Sequence, residues 1–339
     1  MFESLAIRPA SKMRVWRAAS FTLALCLGGL YPLRLTADEN VATWLERMVQ
    51  AAHELNYTGT FVYQHGGSLQ TMQIIHAVDE DGEHERLVSL SGPAREVIRD
   101  HDKVTCILPE ESSMILEQAG TPRSFPLIRP SLIEPLRQYY EFKLHGEDRI
   151  AGLKARHIAI IPRDQYRYGQ NIWLAEDSGL LLRAEVLDEQ GAIVEQVMFT
   201  SLELHDQIPE EMLVPQTENP GRIVALGGEP GAEMSTEERA RWVVTKLPPG
   251  FKQDMERWHS LPNKSEPVEH YLYSDGLASV SVFIEKTRDG TSGFTGTSRM
   301  GGVNAFGRRM NGYLATVVGE VPPITVKQIA ESIQKLSEN

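Results

Sequence analysis

Cysteine is nearly absent from this chain. Of its 339 residues only Cys26 and Cys106 are cysteines, and Cys26 lies in an N-terminal leader. The mature chain therefore keeps one thiol, and no intrachain disulfide can form. Cys106 falls in the run Val104-Thr105-Cys106-Ile107-Leu108. It reads as a small buried apolar residue of a strand, with an intermolecular bridge as the alternative. Catalytic signatures are missing too. There is no G-x-S-x-G, H-E-x-x-H or C-x-x-C, and no glycine-rich phosphate loop follows a strand. The ten histidines stand singly, and the pairs Glu110-Glu111 and Glu210-Glu211 fall in loop-like segments. No cofactor and no metal site is expected, and the chain reads as a non-enzyme.

Positive charge is in short supply. Lys and Arg number 34 against 46 Asp and Glu, for a formal charge of −12. Nor is there an apolar run long enough to span a bilayer comfortably. The best one, Ala18 to Leu30, is short, contains Gly28 and Gly29, and is followed by Pro32. Lys12, Arg14 and Arg17 precede it, and Leu35-Thr36-Ala37 offers a small-residue cleavage site. Residues 1–37 thus read as a secretory signal peptide. Leu25 stands before Cys26 where lipidation needs a small residue. The leader holds five basic residues (Arg8, Lys12, Arg14, Arg17, Arg34) and one acid (Glu3), so its removal takes the charge from −12 to −16. An acidic exported protein is a poor general binder of nucleic acid or anionic membrane.

What is present is strand pattern. Glu141 to Leu204 reads as four or five antiparallel strands, with alternation in Leu153, Ala155, His157, Ala159, Ile161 and in Leu180, Leu182, Ala184, Val186. Asp177-Ser178-Gly179 and Asp188-Glu189-Gln190-Gly191 carry the turns. Upstream, Val41, Trp44, Met48, Ala51 and Leu55 form a helical apolar stripe from Asp38 onward. Five strands follow, with turns at Gly66-Gly67 and Asp81-Gly82. On them Phe61 and Tyr63 share a face, as do Met72, Ile74, His76 and Val78. His76 reads as a hydrogen-bonded core histidine, since no second ligand stands at a metal-site spacing. Pro109 to Tyr140 is broken by prolines and rich in large apolar residues. It reads as short helices and loops across the covered face of the sheet, either an ordinary second layer or a lid.

From His205 to Arg239 the periodicity weakens, as in a linker. A smaller domain, residues 240–339, follows. It has a strand from Trp242, a hairpin about Ser274-Asp275-Gly276, a Gly/Ser/Thr-rich mobile loop at Asp289–Gly307 and a strand at Tyr313–Val321. The last element is a helix with Thr325 as N-cap and Val326, Ile329, Ala330, Ile333 and Leu336 on one face. Two basic concentrations stand out. Arg163, Tyr166, Arg167 and Tyr168 interleave guanidinium with tyrosine and suit an anion or lipid headgroup. The alternative is a strand connection whose Arg and Asp pair with each other. Arg299, Arg308 and Arg309 suit an acidic partner segment, or form a solvated loop.

Several stretches, in order along the chain, resemble the MucB/RseB family of periplasmic regulators of envelope-stress sigma factors (sigma-E/AlgU type). They are Gly59-Thr60-Phe61-Val62-Tyr63, Arg163 to Gly169, Leu247-Pro248-Pro249-Gly250-Phe251, Tyr273 to Leu277 with Ser281 to Glu285, and Val317 to Pro322. The resemblance implies an α+β protein in two parts. Residues 38–205 would form a LolA-like curved, incompletely closed antiparallel β-barrel with plugging helices, and 206–239 the linker. Residues 240–339 would form a smaller antiparallel sheet with one helix that binds the partner. It implies a periplasmic negative regulator that binds the periplasmic part of a MucA/RseA-type anti-sigma factor and shields it from site-one proteolysis. Lipid or lipopolysaccharide fragments would release it. Phe61, Tyr63, Met72, Ile74, Leu182 and Val186 are the expected lipid-cavity lining. A lipid or lipoprotein carrier without signalling, an exported enzyme on the same scaffold and homodimer formation all stay open at this point.

Overall fold

Helix α1 (Ala37–Glu54) forms where the stripe predicts it, and its inward residues Val41, Trp44, Leu45, Met48 and Ala51 are all buried. The computed structural model describes residues 37–80, 82–100, 103–107, 130–216, 242–259, 267–287 and 293–336. The leader up to residue 36, most of the proline-broken insertion and most of the expected linker lie outside them. Among the described residues no helix is long and apolar enough to cross a membrane.

The first sheet has ten antiparallel strands. They are β1 (Asn56–His65), β2 (Ser68–Asp79), β3 (Gly82–Ser89), β4 (Glu96–Asp100), β5 (Lys103–Ile107), β6 (Tyr140–Ile150), β7 (Leu153–Pro162), β8 (Gly169–Ala175), β9 (Leu181–Leu187) and β10 (Ile193–His205). Their spatial order is β5-β4-β3-β2-β1-β10-β9-β8-β7-β6. Two meanders are thus joined along β1 and β10, which pair from Asn56↔His205 to His65↔Glu195 with a register shift between Thr60 and Phe61. The sheet is open, with β5 and β6 as its edges. Gly66 and Gly67 take φ of +55° and +83° in the β1–β2 turn, a conformation that glycine adopts at no steric cost.

One half of the sheet is covered by helix. Val41, Trp44, Leu45 and Met48 of α1 pack with Ile158, Ile160, Ile172, Leu174 and Ala184. A 3-10 turn (Pro130–Leu132) and helix α2 (Ile133–Leu136) add Ile133 and Leu136 to the same cluster. A different cluster forms from Ile150, Ala155, Trp173, Ala175 and Leu182. Trp173 alternates with Ile172 and Leu174 along β8, so this second cluster lies on the face turned away from α1.

The second sheet holds β12 (Lys252–His259), β13 (Val268–Ser274), β14 (Ser279–Lys286), β15 (Gly296–Met300), β16 (Val303–Met310) and β17 (Tyr313–Gly319), in the order β12-β13-β14-β17-β16-β15. Helix α3 (Pro323–Glu331) packs Val326, Ile329 and Ala330 onto it. A short pair, β11 (Trp242–Val244) and β18 (Ile333–Lys335), completes the domain. Large and small open antiparallel sheets, each with helix against it, make up the expected α+β architecture.

Five local expectations change. The expected mobile loop at Asp289–Gly307 contains strand β15 and half of β16, which pair from Gly296↔Gly307 to Met300↔Val303. The helix starts at Pro323 rather than after Thr325, because proline suits the first helical position. Ile333 lies beyond its end, in β18. Strand β12 was not anticipated, because Lys252 to His259 alternates weakly. The start of the expected linker is tied down. Arg86 Nε donates to Glu96 Oε2 (3.1 Å), Arg86 Nη1 to the Met212 carbonyl (3.2 Å), and the Gln216 amide to Glu96 Oε2 (3.1 Å).

Leu45 is fully buried between α1 and the sheet. Leu45→Ala removes its contacts and leaves a cavity, a change that destabilises by about 2–5 kcal/mol. A urea unfolding curve will show the midpoint fall with little change in slope.

Candidate functional site at the domain junction

Arg167 sits in the loop between β7 and β8, and its side chain is wholly buried. Its Nε donates to Asp275 Oδ2 at 2.8 Å, its Nη1 to the Asp164 carboxylate and its Nη2 to the Pro249 carbonyl. The guanidinium carbon lies 4.8 Å from the Tyr139 ring centre, 5.3 Å from Phe251 and 5.4 Å from Tyr140. Two first-domain tyrosines and one second-domain phenylalanine thus enclose the cation. Local chain geometry builds this cage. The Asp164 side chain accepts from the Tyr166 amide at 2.9 Å, which tightens the loop. Asp275 Oδ1 accepts from the Leu277 and Ala278 amides (2.9 and 2.7 Å), leaving Oδ2 for Arg167 and for the Tyr140 hydroxyl at 3.0 Å. Burial, then the Asp275 charge, pushes the Tyr140 hydroxyl well above its usual range, although Arg167 opposes this. Gly250 has φ of +86°, and a Cβ there would fall 2.5 Å from the Tyr139 ring. Glycine is therefore required between the accepting Pro249 carbonyl and the stacking Phe251.

Further contacts join the same two domains. Asn304 donates to the Tyr168 hydroxyl at 2.8 Å, and Thr325 donates its hydroxyl to the Tyr166 carbonyl at 2.7 Å. Thr325 is therefore a domain fastener, not a helix cap. A cavity of about 60 Å³ lies between the domains, lined by Tyr140, Tyr168, Gln170, Val186, Ser279 and Glu320 among others.

The four residues expected to take an anion divide. Arg167 has its anions already, in Asp164 and Asp275. Tyr168 is buried, Tyr166 gives its carbonyl to Thr325, and Arg163 is exposed with Nε on the carbonyls of Arg137 and Tyr140. Pairing within the connection, the other reading of this segment, is what Asp164 and Arg167 display.

The six expected cavity residues divide as well. Phe61 and Met72 are register partners, and Ile74 stands opposite Gly59 on the same face. Phe61 lies 5.7 Å from Phe199, and Tyr57 stacks on His76 at 4.8 Å. His76 is buried and Nδ1 bonds the Leu55 carbonyl at 2.9 Å. A Cβ on Gly59 would lie 2.6 Å from the Phe199 ring, so this glycine makes room for the aromatic floor. Phe61 and Tyr63 are only half-buried. Tyr63 stacks on His65 with ring centres 5.9 Å apart. Val186 lines the junction cavity instead. Leu182 leaves the group altogether. A bulge in the β8–β9 pairing at Trp173/Leu174 breaks the period of two, and Leu182 packs beside Trp173 on the far face. No signal in the alternating Leu180, Leu182, Ala184, Val186 announces that bulge.

Of the expected partner-binding arginines, Arg308 is engaged. Its Nη1 donates to the carbonyls of Ala330 (2.9 Å) and Glu331 (2.7 Å), capping the end of α3. Arg299 is exposed and holds its own turn through Gly301 O at 3.0 Å, and Arg309 is exposed on β16.

Fold and junction together define a two-domain protein whose buried polar groups fasten one antiparallel sheet to another. The comparisons with known proteins agree over nearly all of the described length. Residues 40–217 match the MucB/RseB N-terminal domain and residues 236–334 the MucB/RseB C-terminal domain. The chain belongs to the MucB/RseB family. It is 34% identical over 318 residues to the sigma factor AlgU regulatory protein MucB of Pseudomonas aeruginosa, covering 92% of this chain and 96% of that one. It is 28% identical over 317 residues to the sigma-E factor regulatory protein RseB of Escherichia coli K12, covering 93% and 97%. Among solved structures, the Pseudomonas aeruginosa MucA/MucB complex matches with a TM-score of 0.70 at 31% identity, over 88% of this chain and all of that one. These relatives are sigma factor regulatory proteins by name.

Arg167→Ala leaves Asp275 buried without its cation. Breaking a buried pair in this way destabilises by about 3–5 kcal/mol. Adding Asp275→Ala in that background will cost less than it does alone, a coupling that a double-mutant cycle in urea reads directly.

Proposed function

We propose that this protein is a periplasmic negative regulator of an envelope-stress sigma factor. It binds the periplasmic segment of a membrane anti-sigma factor and shields that segment from site-one proteolysis. The observation that carries this reading is the likeness of the entire two-domain unit to Pseudomonas aeruginosa MucB, solved in complex with MucA and with MucA(peri). Residues 1–37 would be the export signal, 38–205 the lipid-sensing part, 206–239 the linker and 240–339 the partner-binding part, with exposed Arg299 a candidate contact for an acidic segment. Release follows when a lipid or lipopolysaccharide fragment enters the open half of the first sheet. There Phe61, Met72 and Ile74, with Tyr57 and Phe199, offer an aromatic and aliphatic floor. An acyl chain contributes about 0.8 kcal/mol per buried methylene, so ten give on the order of 8 kcal/mol before ordering costs. A differential of about 5.5 kcal/mol already moves a two-state protein from one form almost wholly to the other.

Calorimetric titration of residues 38–339 with the periplasmic segment of the organism's own anti-sigma factor tests the reading. Tight binding is expected, weakened when a lipopolysaccharide fragment is present. Absence of binding in both conditions would reject the regulator.

Ile74→Glu places a charge on the floor beside Gly59. The expected outcome is unchanged affinity for the anti-sigma segment with at least tenfold loss of the lipid effect, read in the same titration. A variant that folds and still responds to lipid would move the lipid site elsewhere.

A further inference from the structure

Charge is divided unevenly along the mature chain. Residues 38–239 hold 17 Lys and Arg against 35 Asp and Glu, a formal charge of −18, while residues 240–339 hold 12 against 10, or +2. An acidic ligand is therefore repelled by most of this molecule and drawn to its second domain. That domain carries an open groove of about 480 Å³ beside α3. One wall is the helix stripe Ile324, Lys327, Gln328 and Glu331, spaced by three and four residues so that all lie on one face. Val326, Ile329 and Ala330 of the same helix pack into the core instead. Thr245 and Lys246, which follow β11, line the groove as well.

We propose that this groove takes an acidic, extended peptide segment, with an apolar side chain on Ile324 and carboxylates on Lys246 and Lys327. Ile324 is a large apolar residue left 40% exposed. Lys246 is exposed and, among the described residues, makes no ion pair. Lys327 meets Glu331 at 3.9 Å, with both side chains more than half exposed. Such a pair is worth little in water and gives way to a second carboxylate. From Ile324 to Glu331 the stripe covers roughly 10 Å of helix, which matches about three residues of extended chain.

A helix C-terminus repels anions through its unpaired carbonyls, yet at the end of α3 those carbonyls are occupied. Arg308 Nη1 donates to the carbonyls of Ala330 and Glu331, at 2.9 and 2.7 Å. The Ser332 carbonyl accepts from the Thr245 amide at 3.1 Å and from the Thr245 hydroxyl at 2.9 Å. Ser332 Oγ donates back to the Ile329 carbonyl at 3.0 Å. The same bonds hold the chain after β11 against the end of α3. The walls are thus set before a ligand arrives, and little ordering is left to oppose binding. Glu331 is the acid that stands in the lining, against the two lysines. The identity of the peptide as an anti-sigma segment rests on the regulator reading; the preference of the groove for acid does not.

Two probes test it on residues 38–339. The first is a labelled synthetic peptide of alternating Glu and Leu, compared by fluorescence anisotropy at low salt with the same peptide carrying Gln for Glu. The wild type is expected to prefer the Glu peptide about tenfold. Lys246→Glu with Lys327→Glu should abolish that preference, and Glu331→Lys should widen it. All three side chains are exposed, so the fold is not at stake, and a gain in Glu331→Lys does not arise from damage. The second probe, the anti-sigma segment, should weaken and tighten in the same two variants. A wild type without preference for the Glu peptide would overturn the groove, as would a preference that the substitutions leave unchanged. So would variants that lose binding only to phosphatidylglycerol vesicles, which would make the lysines a membrane contact. A segment that binds the wild type and both variants alike would reject the groove and keep the regulator. A Glu peptide that behaves as expected beside a segment that does not bind would reject the regulator and keep the groove.

Discussion

The structure depends on the desolvation of one guanidinium. Taking a charge out of water carries a penalty of several kcal/mol, repaid only when geometry is good and every donor is met. Arg167 belongs to the first domain, yet two of its three hydrogen-bond acceptors, Asp275 and the Pro249 carbonyl, belong to the second. The first domain alone could not bury it. Assembly of the two sheets and the shape of the β7–β8 loop are therefore one event. Asp275 answers in kind, since its other oxygen shapes the β13–β14 turn through two amides.

Around that fixed point the first sheet is divided by helix α1. Over β6 to β9 the apolar stripe of α1 closes a conventional core. Over β1 to β3 the same concave face is paved by Tyr57, Phe61, Met72, Ile74 and His76, and Phe61 remains only half-buried. Met72, Ile74 and Phe199 are buried on that face, while Phe61 keeps part of its ring at the surface.

The junction and the open face are close neighbours in the chain. Strand β1 carries Phe61, then Tyr63 and His65, within five residues, and the His65 ring meets Gly301 of the second domain. Strand β10 carries Phe199 beside Phe61 and Glu195 beside His65. A change in how the floor is filled is therefore one strand repeat away from the residues that hold the second domain.

Much of this was legible in the residues alone, and for identifiable reasons. Helix α1, the meander and the glycine turn at Gly66-Gly67 follow from periodicity and backbone sterics, which are local. His76 was rightly read as a bonded core histidine, for want of a second ligand nearby in sequence. The five stretches that resemble the MucB/RseB family were also visible, but not why they matter. Arg163 to Gly169, Leu247 to Phe251 and Tyr273 to Leu277 meet at Arg167, and Val317 to Pro322 leads to Glu320. Sequence determined which side chains carry charge, which faces are apolar and where the chain turns, because those properties belong to residues and their nearest neighbours. Only the tertiary structure decided that Arg167 would be met by Asp275, that a bulge would send Leu182 to the far face, and that Gly301 would meet the His65 ring. Each of these depends on the packing of elements far apart in the chain, which no local spacing encodes.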